Sequence, residues 1–163
     1  MIEFVKIPSE RLAVLIGHNG KVKKDLEAKT HTKITIMDDV EIDGESFDVM
    51  KAADIVKAIG RGFSPKNAFL LLNEDFELHI ITLHGESEKT IRRLMGRVIG
   101  REGKTRKKIE EVCGARISVY GKTVAIIGDY RQIEIASKCV EMLLQGRTHG
   151  YVYRTLYEMK RRG

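Results

Sequence analysis

The sequence is poor in the residues that metal sites, secreted domains and membrane proteins require. It contains no tryptophan. It has only two prolines and two cysteines, and 6% of its residues are aromatic. Cys113 and Cys139 lie far apart, and the five histidines show no ligand spacing, so we expect no disulfide, no metal site and no cofactor. No apolar run approaches the roughly eighteen residues of a membrane helix. The N-terminal residues lack a secretory pattern, which predicts a cytoplasmic protein.

Charge is abundant but unevenly distributed. The net charge is +6, from 29 basic and 23 acidic residues. Residues 38–48 contain six acids and no base. Residues 92–108 contain one acid, Glu102, and eight bases: Arg92, Arg93, Arg97, Arg101, Lys104, Arg106, Lys107 and Lys108. This segregation favours a polyanion as the target, rather than a solvated helix face with scattered counterions.

The chain contains an internal repeat. When the sequence is shifted by 83 positions, residues 15–17 align with residues 98–100, and Gly20-Lys21 aligns with Gly103-Lys104. Further along, Leu26-Glu27 aligns with Ile109-Glu110, and residues 33–36 align with residues 116–119. One structural unit is therefore used twice.

Each copy has the same pattern of hydrophobic periodicity and turn residues. The first begins with alternating strand residues, continues with two short helices separated by glycines, and ends with two strands and a longer helix. The predicted order is β-α-α-β-β-α, twice. We expect a first domain over residues 1–62, a linker helix over 63–75, a second domain over 76–147 and a C-terminal helix over 148–163.

Both copies carry the motif Ile-Gly-x-x-Gly-Lys between their two short helices, as Ile16–Lys21 and as Ile99–Lys104. Glycine permits positive φ and leaves no side chain where another backbone must approach. The helix that follows presents free N–H groups and the positive end of its dipole, which favour a phosphate. Two such loops, each followed by a basic helix, predict two sites for a phosphate backbone.

The two motifs and their surroundings resemble the KH family. The resemblance implies an α+β fold of two tandem type I KH domains, each a three-stranded sheet packed on helices. It also implies binding of about four nucleotides of single-stranded RNA between the loop and an apolar groove. The residues implied to bind RNA are Ile16, Gly17, His18, Asn19, Gly20, Lys21, Lys24, Ile34, Arg97, Ile99, Gly100, Arg101, Glu102, Gly103, Lys104, Arg106, Lys107, Arg116 and Ile117.

Four of these residues have two readings. Ile16, Ile34, Ile99 and Ile117 would line the groove floor by resemblance, while backbone groups of the strands at 33–36 and 116–119 would read base edges. Plain core packing is an equally good reading for any one of the isoleucines.

The two sites are predicted to differ in strength. The second loop has many cations around it, whereas the first has Lys21, Lys23 and Lys24, with neutral His18 and Asn19 inside the loop. Since phosphate contacts supply much of the affinity for nucleic acid, we expect the second domain to bind RNA more tightly. The first would assist it or bind a protein.

Three further segments make the family resemblance more specific. They are residues 58–72 at the join between the two copies, residues 119–128, and residues 149–154. With both loops, they are similar to the archaeal partner-of-Nob family (also called Dim-two), two-KH proteins of small-subunit ribosome maturation. That resemblance implies binding near the 3′ end of small-subunit ribosomal RNA. It also implies endonuclease Nob and the alpha subunit of initiation factor two as partners.

Two enzyme classes fit the sequence poorly. Gly103-Lys104-Thr105 ends like a phosphate-binding NTPase loop, but the pattern needs a glycine where Val98 stands. A nuclease would need carboxylates beside the basic region, and the acids at 38–48 are distant in sequence. We therefore expect no enzymatic activity. A protein-interaction scaffold with weak nucleic-acid binding, or a preference for single-stranded DNA, remains open.

Overall fold

The computed structural model describes all 163 residues. The chain divides into two compact units, Met1–Glu74 and Asp75–Gly163. Each unit contains three strands and three principal helices in the order β-α-α-β-β-α. The expected α+β fold of two repeated units is confirmed.

The first unit is built from seven elements and two 3₁₀ segments, His18–Gly20 and Phe69–Leu72. These elements are β1 (Ile2–Val5), α1 (Ser9–Ile16), α2 (Lys21–Thr30), β2 (Lys33–Ile36), β3 (Val40–Asp43), α3 (Ser46–Gly60) and α4 (Pro65–Ala68).

The second unit repeats this order and adds a helix at its end. Its elements are β4 (Glu77–Thr82), α5 (Glu88–Ile99), α6 (Lys104–Cys113), β5 (Arg116–Tyr120), β6 (Thr123–Gly128), α7 (Tyr130–Leu144) and α8 (His149–Arg162).

Both sheets place the third strand of the unit in the middle. The strand orders are β1-β3-β2 and β4-β6-β5, with all pairs antiparallel. In the second sheet Ile117 lies opposite Ile126, and Val119 lies opposite Val124. As a consequence β2 and β5 are edge strands, and one side of each has no strand partner.

The segment expected to be a linker helix packs within the first unit. Ser64 caps α4 by accepting a hydrogen bond from the Asn67 N–H. Ala68 and Leu71 are buried, and Lys51 of α3 donates to the Leu71 carbonyl. At the other end of the chain, α8 buries Val152 and Leu156 in the core of the second unit. The finer four-segment division stays a prediction.

The core of the second unit holds both cysteines. Cys113 and Cys139 are free thiols, buried among aliphatic side chains of α5, α6, α7 and the sheet. Burial raises the pKa of the Cys139 thiol to about 12 and also raises the pKa of Cys113. Both therefore remain protonated at neutral pH and behave as small apolar side chains.

Candidate nucleic-acid interface

The two glycine loops have the same backbone conformation. Gly17 has φ 77° and ψ 177°, and Gly100 has φ 75° and ψ 174°. The third residue of each loop is left-handed without being glycine, with φ 54° at Asn19 and 55° at Glu102. A left-handed glycine then starts the next helix, Gly20 with φ 74° and Gly103 with φ 75°.

The two glycines of each loop have different roles. A Cβ on Gly17 would lie 2.4 Å from Val22 Cγ2, and one on Gly100 would lie 2.1 Å from Thr105 Oγ1. The first glycine therefore lets the loop close onto the following helix. A Cβ on Gly103 would meet nothing closer than Lys107 Cε at 3.7 Å, and Gly20 is equally open. The second glycine leaves a bare face at the start of the helix, where another chain could approach.

Neither α2 nor α6 is capped by a side chain. Gly20 and Gly103 occupy the N-cap positions, so the first N–H groups of both helices have no side-chain acceptor there. Lys21 and Lys104 are the first helical residues and are exposed. A helix start of this kind, with its dipole and a lysine beside it, suits an anionic oxygen.

Cations gather more closely at the second loop. Lys107 Cε lies 3.7 Å and an Arg106 guanidinium nitrogen 4.0 Å from the position that a Gly103 Cβ would take. The other terminal nitrogen of Arg106 donates to Glu110 Oε1 at 2.7 Å, which holds the guanidinium in place. At Gly20 only Lys24 Cε comes near, at 3.9 Å.

The other predicted polar residues of the two sites lie at the surface. Exposed side chains are those of His18, Asn19, Lys21, Lys24, Arg101, Glu102, Lys104, Lys107 and Arg116.

A cleft of about 690 Å³ lies beside the second loop. One face of α5 forms one wall, and the end of β5 with the hairpin to β6 forms the other. Its lining residues are Glu88, Ile91, Arg92, Met95, Gly96, Ile99, Val119, Gly121 and Lys122. Of these, the sequence predicted a side-chain contact with RNA only for Ile99, and a backbone contact for Val119 as part of the strand at 116–119. The apolar spacing of Ile91, Met95 and Ile99 along a basic helix was the signal that could have found this wall.

The four groove isoleucines separate into two pairs. Ile34 and Ile117 are only 1% and 4% exposed, so their side chains belong to the core. For these two the groove prediction is wrong, because alternate residues of an edge strand over a helical layer point inward. Ile16 and Ile99 are 38% and 37% exposed at the ends of α1 and α5, directly before the loops.

Arg97 uses two of its guanidinium nitrogens inside the protein, and its contact with RNA stays a prediction. Its Nε donates to the Leu143 carbonyl at 2.9 Å, and Nη2 donates to the Arg147 carbonyl. The Leu143 carbonyl lies in the last turn of α7, where a cation is favourable, and Arg147 follows the end of that helix. The first unit makes the same clamp from another position, with Arg11 donating to the carbonyls of Ile59 and Phe63.

A glutamate occupies the open edge of each edge strand. The Ile34 N–H donates to Glu27 Oε2, and the Ile117 N–H donates to Glu110 Oε2, both at 2.8 Å. The N–H groups of Ile34 and Ile117 are therefore occupied within the protein, and base reading by the other backbone groups of these strands stays a prediction. Sequence reasoning aligned Glu27 with Glu110 in the repeat but assigned neither of them a role.

The C-terminal helix contributes an aromatic flank beside the basic residues of α6. Lys104, Lys107, Lys108 and Glu111 of α6, with Tyr153 of α8, surround a cleft of about 400 Å³. The Tyr153 hydroxyl donates to Thr105 Oγ1 at 3.3 Å, and Lys108 Nζ lies 5.5 Å from the centre of the Tyr157 ring.

The structure contains no group of three or more His, Cys, Asp or Glu side chains arranged to hold a metal ion. None of its helices combines the length and apolarity that a membrane crossing requires.

Comparison with protein families agrees with this geometry. The KH domain family matches residues 2–58. A second family, described as the eukaryotic type KH domain (KH domain type I), matches residues 75–161.

Similar proteins span nearly the whole chain. A KH domain-containing protein of Methanocaldococcus jannaschii is 46% identical over 164 residues, covering 95% of this chain and 72% of the relative. The RNA-binding protein pno1 of Dictyostelium discoideum is 30% identical, covering 95% of this chain and 70% of the relative.

Solved structures are also similar to this chain over nearly its whole length. Dim2p of Pyrococcus horikoshii is 52% identical with a TM-score of 0.91, over 97% of this chain and 99% of that one. A second structure from that organism, an a/eIF2α–aDim2p–rRNA complex, matches with 51% identity and a TM-score of 0.93, over 100% of this chain and 96% of that one. The resemblance found in the sequence is thereby confirmed: this chain belongs to the Dim2/PNO1 (partner-of-Nob) family of proteins with two type I KH domains.

Proposed function

We propose that this protein binds single-stranded RNA near the 3′ end of small-subunit ribosomal RNA during ribosome maturation. The observation that carries the proposal is the bare face of Gly103. It lies at the uncapped start of α6, between Lys107 and the guanidinium of Arg106. A phosphate seated there would meet backbone N–H groups, the helix dipole and two cations.

The cleft beside the loop suits the rest of a nucleotide. Ile91, Met95 and Ile99 offer an apolar wall, and Gly96 has no atom within 4 Å of the position that a Cβ would take. Bases have apolar faces, and unpaired bases are available to pack against such a wall. A single strand therefore fits better than a duplex, whose bases are already stacked.

Relatives support the ribosomal assignment and the partners. The Dictyostelium relative is named an RNA-binding protein, and a relative in Gibberella zeae is named a pre-rRNA-processing protein. The Pyrococcus protein was crystallised with a/eIF2α and rRNA. We extend these partners to this chain, together with endonuclease Nob, which the family resemblance implies. The proposal includes the cytoplasm as its compartment.

The proposed role is binding without catalysis. Thr105, which would complete an NTPase loop, is only 3% exposed and receives the Tyr153 hydroxyl. A P-loop threonine needs its hydroxyl free for magnesium. This arrangement favours a structural role for Thr105 over an NTPase site.

The first unit supports a second candidate, docking of a basic protein partner. Phe4, Met37, Phe47 and Met50 are each more than half exposed, and residues 38–48 are acidic. Exposed apolar side chains with acids nearby suit a protein surface better than a phosphate backbone.

The decisive experiment measures RNA affinity against salt concentration. We expect log affinity for a single-stranded RNA to fall linearly with log salt, by roughly 0.7 per phosphate neutralised. Lys107→Ala should reduce this slope by about one phosphate contact, whereas Lys138→Ala, an exposed lysine on α7, should leave it unchanged. Absence of salt-dependent binding would reject the proposal. In cells, crosslinks scattered over messenger RNA instead of small-subunit rRNA would reject the ribosomal part.

A further inference from the structure

The feature that the proposed function leaves unexplained is the outer face shared by α6 and the C-terminal helix, α8. Lys104, Lys107, Lys108 and Glu111 of α6 surround a cleft of about 400 Å³ together with Tyr153 of α8. Lys107 belongs to the proposed phosphate site at the loop. The proposed function assigns no role to Lys108 or to the aromatic side of this cleft.

The cleft begins where the phosphate site ends. Lys107 Cε lies 3.7 Å from the position that a Gly103 Cβ would take, and the same lysine lines the cleft. Lys104 is the first residue of α6, and Lys108 lies one helical turn further along, about 6 Å away. A strand whose phosphate lies at Gly103 can therefore continue along α6 within a positive potential.

The C-terminal helix extends this surface with an aromatic ring between two arginines. Tyr157 is 46% exposed, and Lys108 Nζ lies 5.5 Å from the centre of its ring. Arg154 and Arg161 lie three residues before and four residues after Tyr157, so helical spacing places them on the same side of α8, and both are exposed. Exposed rings beside cations are what proteins use to hold unpaired bases and their phosphates.

The packing of α8 fixes this face relative to the loop. Val152 and Leu156 are buried in the core of the second unit, and the Tyr153 hydroxyl donates to Thr105 Oγ1 at 3.3 Å. Thr105 lies in the first turn of α6, directly after the phosphate loop. The ring of Tyr157 thus has a defined place beside the loop, which lowers the entropy cost of binding a base there.

The first unit has no counterpart of this surface. In the repeat, Asp25 stands where Lys108 stands. The helix that follows α3 is only four residues long, Pro65–Ala68, and contains neither tyrosine nor arginine. The basic and aromatic face is therefore an addition to the second unit and not a requirement of the repeated fold.

We infer that the outer face of α6 and α8 is a second RNA surface, which binds the nucleotides next to the one held at the glycine loop. Lys108, Arg154 and Arg161 contact phosphates there, and one base stacks on the ring of Tyr157. This inference rests on the proposed RNA binding, and it extends the footprint of the second unit beyond about four nucleotides. Because every base has a π-face, the contact adds affinity without reading sequence.

The test compares RNAs of two lengths on the full protein. The shorter probe is a labelled RNA from the 3′ end of small-subunit rRNA, trimmed to the four nucleotides that retain the tightest binding. The longer probes add three nucleotides to its 5′ end or to its 3′ end, either with bases or as abasic sugar-phosphates. We expect extension at one end to raise affinity about tenfold with bases and about threefold without them.

Substitutions on the two helices separate stacking from charge. Tyr157→Ala should reduce the gain from bases to that of the abasic extension, whereas Tyr157→Phe should keep it, because the ring remains. Tyr151→Ala is the matched control, since this tyrosine is 40% exposed on another side of the same helix. Lys108→Asp, which copies Asp25 of the first unit, should reduce the gain from both extensions, because an added negative charge repels phosphate.

The measured quantity is the ratio of the affinities for the longer and the shorter RNA. A variant that only disturbs the loop weakens binding of both RNAs and leaves this ratio unchanged. If neither extension raises affinity, or if Tyr151→Ala lowers the ratio as much as Tyr157→Ala does, the face is a solvated helix surface and the inference is overturned. If even the untrimmed RNA shows no salt-dependent binding, the proposed function itself fails.

Discussion

The two units share one backbone and differ in what surrounds their loops. The φ values of the two loops agree within a few degrees, yet the left-handed third position is Asn19 in one loop and Glu102 in the other. Beside the second glycine, one cation is near in the first unit and two are near in the second. The fold therefore fixes where a phosphate can be held, whereas the surface side chains decide how strongly it is held.

The units also differ in how their helices begin. In the second unit Ser87, Asp129 and Thr148 cap α5, α7 and α8, and Asp129 forms a capping box with Gln132. In the first unit α1 and α3 have no side-chain cap. Since a cap contributes about 1 kcal/mol, the second unit has the better-supported helices around its loop.

The largest expected effect is the difference in stability between alanine substitutions at the two glycines of one loop. Gly100→Ala would place a methyl 2.1 Å from Thr105 Oγ1, in a conformation open only to glycine, and should destabilise the second unit by about 3 kcal/mol. Gly103→Ala meets open space and should cost only about 1 kcal/mol, from left-handed strain. Hydrogen exchange of the α5 and α6 amides measures the stability of the second unit separately from that of the first.

Gly17→Ala is the matched variant in the first unit. The methyl would lie 2.4 Å from Val22 Cγ2, and the loss of stability should be comparable and confined to α1 and α2. Equal stability of Gly100→Ala and Gly103→Ala would contradict the assignment of separate roles to the two glycines.

The next largest effect is the difference in RNA affinity lost when the loop of one unit or the other is altered. Gly103→Asp places a carboxylate where the phosphate is proposed to lie, and RNA affinity should fall about tenfold through lost charged hydrogen bonds and added repulsion. Gly20→Asp should reduce affinity only two- to threefold, because fewer cations meet there. Both sites have room for the side chain, and aspartate tolerates a left-handed conformation, so both variants should fold.

Fluorescence anisotropy with a single-stranded RNA measures both variants. A larger loss at Gly20, or equal losses at the two sites, would reverse or abolish the ranking of the units. The Gly103→Asn variant, with similar size and no charge, should recover part of the lost affinity.

Much of the fold and the loops could be predicted from the sequence, because a repeat doubles every local signal. The β-α-α-β-β-α order and both glycine loops follow from periodicity and glycine spacing. The side-chain environments were harder to predict. Ile117 and Ile99 look alike in sequence, but a strand turns one inward and a helix end leaves the other exposed.

Contacts between residues that are distant in sequence could not be predicted. Arg97 lies in a run of cations that together favour a polyanion, and only the folded chain brings it to the carbonyls of Leu143 and Arg147. The Glu110 contact with Ile117 is closer in sequence, and its repetition at Glu27 and Ile34 was visible in the alignment. Its meaning depended on knowing which strand forms the edge of the sheet.

The smallest expected effect comes from exchanging the third loop residue, Asn19 or Glu102, between the two units. Asparagine tolerates a left-handed conformation better than glutamate, so Glu102→Asn should stabilise the second unit by about 0.5 kcal/mol, and Asn19→Glu should destabilise the first by a similar amount. Glu102→Asn also removes a negative charge beside the proposed phosphate site, so RNA affinity should rise two- to threefold. Glu102→Gln separates the two causes, because it loses the charge but keeps the strained backbone: affinity should rise while stability stays the same. If Glu102→Gln binds RNA no better than the unaltered protein, the loop does not approach a phosphate in the way that the comparison of the two units requires.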